Sequence, residues 1–280
     1  MFKNKKSTKL PKLGVITGNG SLPHLIISEY QKNGGECITI LIDGFAKPEE
    51  YKYIKNKTLG IGQVSSAIEF LRKNNVTRII FAGGVKKPNL TTLKTDKKGL
   101  ILVGKLAKTK IFGDNNVLQT VVDFFADEGF DVVGVKDLLK ETIAKKGVIN
   151  NIKIKDKKFY EDIKLGNKVL DSISGFDIGQ SVIIQQNLVL GIEGIEGTDE
   201  LIKRYNKLKY KSGRMPVLVK AKKKNQTNKA DLPVIGINTI KNLHKAGFAG
   251  VAVEAENTIL LDKYKIIELA DEKGIFVVGV

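Results

Sequence analysis

Along the first half of the chain, short apolar runs ending in glycine alternate with stretches whose apolar residues recur every three or four positions. Leu13–Thr17 (LGVIT) is such a run and stops at Gly18-Asn19-Gly20-Ser21. Leu22, Leu25, Ile26 and Tyr30 then recur at helical spacing until Asn33-Gly34-Gly35, so the pattern predicts strand, glycine turn and helix. Cys37–Ile42 reads as a second strand, 64–74 as a helix, and Arg78–Ala82 as a third strand ending in Gly83-Gly84. Residues 116–128 read as a helix closed by Gly129, and 131–135 as another strand. Strands and helices alternating at this spacing predict βαβ units and a parallel, Rossmann-like sheet.

Residues 145–158 are polar, Lys-rich and broken by Gly147, which marks a boundary. The predicted division is an N-terminal Rossmann-like domain over 10–144, a linker over 145–158 and a C-terminal α+β domain over 159–280. In that second part, Ser181–Gln185 and Leu188–Ile192, with Asn187 near the turn, predict a β-hairpin. Thr198 is placed to cap a helix over 201–205, with Asp199 and Glu200 in its acidic first turn. A strand over 215–219, a basic loop over 220–229 and an apolar segment over 232–235 follow. Residues 239–245 predict a helix stopped by Gly247, 250–254 and 259–261 a second hairpin around Glu256-Asn257, and 265–273 a helix leading into a terminal strand over 275–280.

Composition narrows the class. With 280 residues, 42% hydrophobic and 28% charged, the chain is neither a disordered polymer nor a collagenous repeat, and it has room for two cores. The single Cys37 excludes an internal disulfide and thiolate zinc sites, and fits a reducing compartment. No apolar run reaches the roughly 20 residues a bilayer-spanning helix needs, and Gly18, Asn19, Gly20 and Pro23 interrupt any signal-peptide core after the basic first twelve residues. The expectation is a soluble cytoplasmic protein. A net charge of +17 invites a nucleic-acid reading, yet the excess is spread over both halves and only four residues are Arg (Arg72, Arg78, Arg204, Arg214). Base readers use the bidentate Arg fork, so a solvated Lys-rich surface is the better reading, and no nucleic-acid partner is expected.

In parallel sheets, ligands sit beyond the carboxyl ends of strands, where glycine turns let a phosphate approach backbone amides. Gly18-Asn19-Gly20 and Gly83-Gly84 both occupy that position, although Pro23 stands where a full Gly-x-Gly-x-x-Gly fingerprint needs glycine. Each turn alone reads equally well as a tight connection with no ligand. The Gly99…Gly104-Lys105 spacing imitates a P-loop, but its intervening residues are bulky and Leu106 replaces the magnesium-binding hydroxyl. With only His24 and His244, a histidine-rich metal centre is excluded, and both histidines read as structural or surface residues. The remaining chemistry is that of hard oxygen donors in loops beside Gly or Pro: Asp177, Glu193, Glu196, Asp199 and Asp231, which could hold a divalent ion on a diphosphate or orient water. Asp199 and Thr198 read equally as helix caps, Asp231 as a turn residue, and Lys220 as a solvated lysine. A Rossmann oxidoreductase acting on a nucleotide sugar is the alternative enzyme class. The Tyr160…Lys164 spacing that would favour it falls near the domain boundary and reads as coincidence.

The ordered set Gly18-Asn19-Gly20-Ser21-Leu22-Pro23, Phe81-Ala82-Gly83-Gly84-Val85-Lys86-Lys87-Pro88, Asp177-Ile178-Gly179-Gln180, Glu196-Gly197-Thr198-Asp199 and Asp231-Leu232-Pro233-Val234-Ile235-Gly236 resembles the LpxI-type UDP-2,3-diacylglucosamine diphosphatases. The likeness runs from about Lys12 to Val280. It implies cleavage of the diphosphate of UDP-2,3-diacylglucosamine to UMP and 2,3-diacylglucosamine 1-phosphate (lipid X) in lipid A biosynthesis. It also implies two domains, a homodimer, contact with the inner membrane surface, and Mg2+ as the ion, with Mn2+ as the alternative. By this resemblance Asp231 is the essential aspartate, as metal ligand or as general base. Asp231, Asp199 and Glu196 are the metal candidates. Gly18, Asn19, Gly20, Leu22, Gly83, Gly84, Gln180, Glu196, Gly197, Thr198 and Lys220 are the substrate-binding candidates. Where the family often has Gly-Asp-Asp, Gly113-Asp114-Asn115 stands here, and the Lys-rich extension before Leu10 receives no role.

Overall fold

A computed structural model describes residues 10–86, 89, 92–108, 114–176, 178–208, 213–223 and 232–280. These form two compact units that meet in sequence between Leu139 and Lys140. Asp177, Asp231, Gly113 and the end of the basic loop, 224–229, lie outside the described residues.

The first unit runs β1 (Leu13–Thr17), α1 (Leu22–Lys32), β2 (Cys37–Ile42), β3 (Asn56–Leu59), α2 (Val64–Lys73), β4 (Arg78–Ala82), α3 (Lys97–Lys108), α4 (Asp114–Asp127), β5 (Asp131–Val132) and α5 (Val135–Leu138). Its sheet is parallel, in the order β3-β2-β1-β4-β5. Every residue of β1 and β2 is buried, as expected of strands covered on both faces. The chain winds outward from β1 in both directions, so the β1/β4 gap is the topological switch point of this sheet. The fifth strand departs from the sequence pattern. The strand expected over 131–135 is only two residues long, because Gly134 and Val135 open α5. The P-loop look-alike lies within α3, where Gly104 and Lys105 are helical residues and form no phosphate-binding loop.

Polar groups fix the helices of this unit. The Asp96 carboxylate accepts from the Ser65 and Ser66 amides at the start of α2, from the Ser65 hydroxyl, and from the Gly99 amide in α3. Glu128, after α4, pairs with Lys98 of α3 and Arg72 of α2, and the Lys98 hydrogen bond holds its carboxyl below the usual range.

The second unit contains β6 (Gly147–Val148), α6 (Lys158–Ile173), β7 (Ser181–Gln185), β8 (Leu188–Ile192), α7 (Thr198–Leu208), β9 (Val217–Lys220), β10 (Val234–Ile235), α8 (Ile237–Ala246), β11 (Gly250–Val253), β12 (Ile259–Leu260), α9 (Lys263–Glu272) and β13 (Phe276–Gly279). A mixed six-stranded sheet has the order β6-β13-β11-β9-β7-β8, and β10 pairs with β12 in a separate parallel ribbon. The β7/β8 hairpin forms as the sequence predicts. Gln186 and Asn187 take positive φ at its turn, and the fully buried Asp162 of α6 accepts both their amides while pairing with Arg214 at 2.7 Å.

The second predicted hairpin does not form. β11 lies between β9 and β13, parallel to both, while β12 belongs to the other sheet. The apolar run of β11 is buried throughout, the signature of a central parallel strand, and the Glu256 turn leads away from it into another layer. The stretch 145–158 includes an edge strand of this sheet. β6 runs antiparallel to β13, and Asn150 donates to the Ile275 carbonyl and accepts from the Val277 amide.

Candidate functional site

At the carboxyl ends of β1 and β4 the two glycine turns grip each other. The Gly18 amide donates to the Ala82 carbonyl, and Asn19 and Gly84 exchange amide–carbonyl bonds of 2.9 and 3.0 Å. A Cβ on Gly18 would stand 2.4 Å from the Gly84 oxygen, and one on Gly83, whose φ is +88°, 2.5 Å from the Asn19 oxygen. These glycines are therefore required by close backbone approach, and the amides of Gly18, Asn19 and Gly84 are committed within the protein. Gly20 differs, with φ +94° and open space where a side chain would stand. Gly18, Asn19 and Gly20 line a cavity of about 320 Å³ together with Ser21, His24, Phe45, Ala46, Lys47, Glu50 and Tyr51. Leu22, half-buried at the start of α1, is absent from this lining, as are Gly83 and Gly84.

The polar candidates of the second unit converge where β7, β9 and α7 meet. Lys220, at the end of β9, is buried, with its Nζ donating to Thr198 Oγ1 at 2.6 Å. Thr198 Oγ1 donates in turn to Glu193 Oε1 at 3.2 Å and lies 3.1 Å from Ser181 Oγ. A hydroxyl has one proton, so with that proton on Glu193 the Ser181 hydroxyl must donate to Thr198. Glu193 Oε2 accepts from the Gln180 amide, and the buried Gln180 Oε1 and Asp199 Oδ1 have no hydrogen-bond partner among the described residues. Gly179 is fixed by contact, since a Cβ there would stand 2.0 Å from the Glu193 oxygen. Two buried polar oxygens without partners among the described residues leave hydrogen-bonding capacity open in this unit.

Thr198 does not cap a helix over 201–205. α7 begins at Thr198, the Leu201 amide bonds to the Gly197 carbonyl, and the Thr198 hydroxyl serves the Lys220–Glu193 network instead. Gly197, at φ +84°, makes the turn into α7 that a side chain would strain. Glu196 is engaged elsewhere, 3.0 Å from Arg204 and accepting the Gly194 amide. Among the described residues, no three His, Cys, Asp or Glu side chains come together to hold a metal ion.

The sequence missed Ser181, a polar residue opening an otherwise apolar strand, and it put no weight on Glu193 above the other loop carboxylates. It also read His24 as a structural or surface residue, whereas His24 lines the first unit's cavity. The alternation of Lys220 and Ser181 with apolar strand neighbours was the available signal for the second unit. Lys47, Glu50 and Tyr51 carry no local signal, because a 3-10 turn at Pro48–Tyr51 brings them to the cavity.

The LpxI N-terminal domain family matches residues 12–142 and the LpxI C-terminal domain family residues 145–278. The chain is 32% identical over 274 residues to the UDP-2,3-diacylglucosamine pyrophosphatase LpxI of Caulobacter vibrioides, covering 96% of this chain and 97% of that protein. Among solved structures, a chain described as a short-chain alcohol dehydrogenase from Burkholderia multivorans aligns with TM-score 0.26 at 14% identity, over 42% of this chain and 57% of that one. CobK precorrin-6A reductase aligns with TM-score 0.32 at 10% identity over 95% and 98%. Scores this low bear on neither fold nor activity. Two family matches in sequence order, with a relative aligned over nearly its full length, place the chain in the LpxI family.

Proposed function

We propose that the protein hydrolyses the diphosphate of UDP-2,3-diacylglucosamine to UMP and 2,3-diacylglucosamine 1-phosphate, a step of lipid A biosynthesis. The observation that carries this reading is the near full-length match to a relative bearing that name. The second unit's polar cluster supplies chemistry suited to it. A diphosphate repels an incoming nucleophile, so cleavage needs positive charge on the phosphate oxygens and an oriented water. Lys220 supplies the charge. Thr198 and Glu193 hold its ammonium at one place, so that it need not reorganise as charge develops. By the resemblance to its family, Asp231 would act as metal ligand or general base.

A bound Mg2+, or Mn2+ in its place, would supply Lewis-acid neutralisation of the diphosphate. The unpaired buried oxygens of Asp199 and Gln180 are hard donors of the class these ions take, and Asp199 with Asp231 would hold the ion. Glu196 would join them only by releasing Arg204. The committed amides of Gly18, Asn19 and Gly84 take three donors of these turns away from a dinucleotide pyrophosphate, which counts against the oxidoreductase alternative.

The acyl chains of the substrate imply work at the inner membrane surface from the cytoplasmic side, as a homodimer like that of its family. No helix among the described residues is long and apolar enough to cross a membrane. Exposed Phe176, Ile178 and Ile195 flank Gly179 and Glu193 in the second unit and would meet acyl chains. Phosphorus NMR of the purified protein with UDP-2,3-diacylglucosamine in detergent tests the reading. Two monophosphate signals should replace the diphosphate pair, EDTA should stop the conversion and Mg2+ restore it. An unchanged diphosphate spectrum with Mg2+ present would refute the proposal.

A further inference from the structure

Helix α3 carries apolar residues on both of its faces. Leu102 and Leu106 pack into the first unit's core, and Gly99 lies so close to Gly62 that a Cβ would stand 2.0 Å from its carbonyl oxygen, which fixes that side of the helix against the unit. The opposite side presents Leu100 and Ile101, 65% and 50% exposed, with the exposed Gly104 and Ala107 one and two turns beyond Leu100. A helix with apolar residues all round is ordinarily buried, and this one is not. Its surroundings are cationic. From 97 to 113 the sequence holds five lysines, Lys97, Lys98, Lys105, Lys108 and Lys110, and no Asp or Glu. Lys97 and Lys105 border the exposed apolar residues, and Lys94 stands exposed just before the helix. Lys105 pairs with Asp127 at 3.0 Å and Lys98 with Glu128, whereas Lys94 and Lys97 have no ion-pair partner among the described residues.

We infer that the outer face of α3 is a docking surface for an anionic phospholipid bilayer, with Leu100 and Ile101 entering the boundary between head groups and acyl chains and Lys94 and Lys97 meeting lipid phosphates. Charge complementarity selects this occupant. Basic residues beside an anionic lipid surface are worth about fivefold each in binding. Lysine stems lie along apolar surface while their ammonium groups stay in water, so lysines can border a patch that enters a bilayer. A second copy fits poorly, because a two-fold contact through this face would set each patch of lysines against its own duplicate. The use of such docking rests on the proposed diphosphatase reading, whose substrate carries two acyl chains; the surface itself stands on α3 alone.

The test sediments the full chain with vesicles of phosphatidylcholine alone and of phosphatidylcholine and phosphatidylglycerol in equal parts. Wild type should bind the mixed vesicles about tenfold more tightly or better. Leu100→Gln with Ile101→Gln should weaken that binding about tenfold. Lys94→Gln with Lys97→Gln should weaken it about twentyfold, as two lysine steps. All four side chains are exposed, so both double variants should fold, with circular dichroism as the check. Both should hydrolyse UDP-2,3-diacylglucosamine dispersed in detergent at the wild-type rate and lose rate only on substrate embedded in vesicles. Equal binding to the two kinds of vesicle, unchanged binding in either variant, or an equal loss of rate in detergent overturns the inference. So does a change of oligomeric state in Leu100→Gln with Ile101→Gln by sedimentation velocity, which would make the face a contact between copies. The expected vesicle binding in a protein that never releases UMP refutes the diphosphatase reading and leaves the docking surface standing.

Discussion

Replacing Thr198 by Val removes one hydroxyl and almost no volume. That hydroxyl accepts from Lys220 Nζ at 2.6 Å and donates to Glu193 Oε1 at 3.2 Å, so the exchange strips one bond from each of two buried charged groups. A hydrogen bond to a charged group is worth about 1.5–3 kcal/mol, and the longer of these two contributes least. The expected loss of folding stability is therefore about 2–4 kcal/mol. At about 3 °C per kcal/mol for a unit of this size, the second unit should melt about 6–12 °C lower in calorimetry. Activity should fall further than stability explains. If release of the ammonium removes about 2 kcal/mol of transition-state stabilisation, kcat drops about thirtyfold while KM moves little. Thr198→Ser keeps the hydroxyl and should recover most of the rate, which separates positioning of Lys220 from simple packing. A Val variant with wild-type kcat, or a Ser variant as impaired as Val, would refute the reasoning.

Further outcomes follow from the geometry. Gly18→Ala forces a methyl to within 2.4 Å of the Gly84 oxygen and should cost about 1–3 kcal/mol. Gly104→Ala, inside α3 with open space around it, should gain about 0.5–1 kcal/mol, and urea midpoints of the two variants should move in opposite directions. Asp162→Ala leaves Arg214 only its longer contacts, 3.6 Å to Asp156 and 3.4 Å to the Lys158 carbonyl, and two turn amides without acceptors, so it should cost about 3–5 kcal/mol by urea unfolding; a loss below 1 kcal/mol would contradict the pinned hairpin. Burial pushes the Asp96 carboxyl up, but its bonds from Ser65, Gly99 and Ser66 outweigh that and hold it below its ordinary 3.8. Because the folded value is the lower one, this stabilisation is complete above the unfolded titration and fades as pH falls toward the folded one. Acid titration of the first unit's stability should therefore flatten in Asp96→Asn.

How much was legible follows from where each signal resides. β1, β2 and β4 are runs of apolar, mostly β-branched residues closed by glycine or a turn, so their existence and parallel pairing could be read locally. β3 could not, because Asn56, Lys57 and Thr58 line a largely exposed sheet edge and only Leu59 is buried. α3 escaped notice because exposed Leu100 and Ile101 stand beside buried Leu102 and Leu106, which blurs the helical stripe. β11 and β12 looked like a hairpin because a turn lies between them. Their true partners, β9, β13 and β10, are distant in sequence, and pairing over such distances leaves no local trace. The same limit applies to the site. Thr198 and Lys220 were chemically suggestive singly, but their contact spans 22 residues, and His24 reaches Glu50 across 26.

The central claim is that this chain splits a diphosphate with the help of Asp231. It is tested most directly by incubating purified wild type and Asp231→Asn with UDP-2,3-diacylglucosamine and Mg2+, then quantifying both products by mass spectrometry. Wild type should release UMP and 2,3-diacylglucosamine 1-phosphate in equal amounts, and the folded Asn variant should be slower by about a thousandfold or more. Unequal products, no products, or an Asn variant as fast as wild type would contradict it.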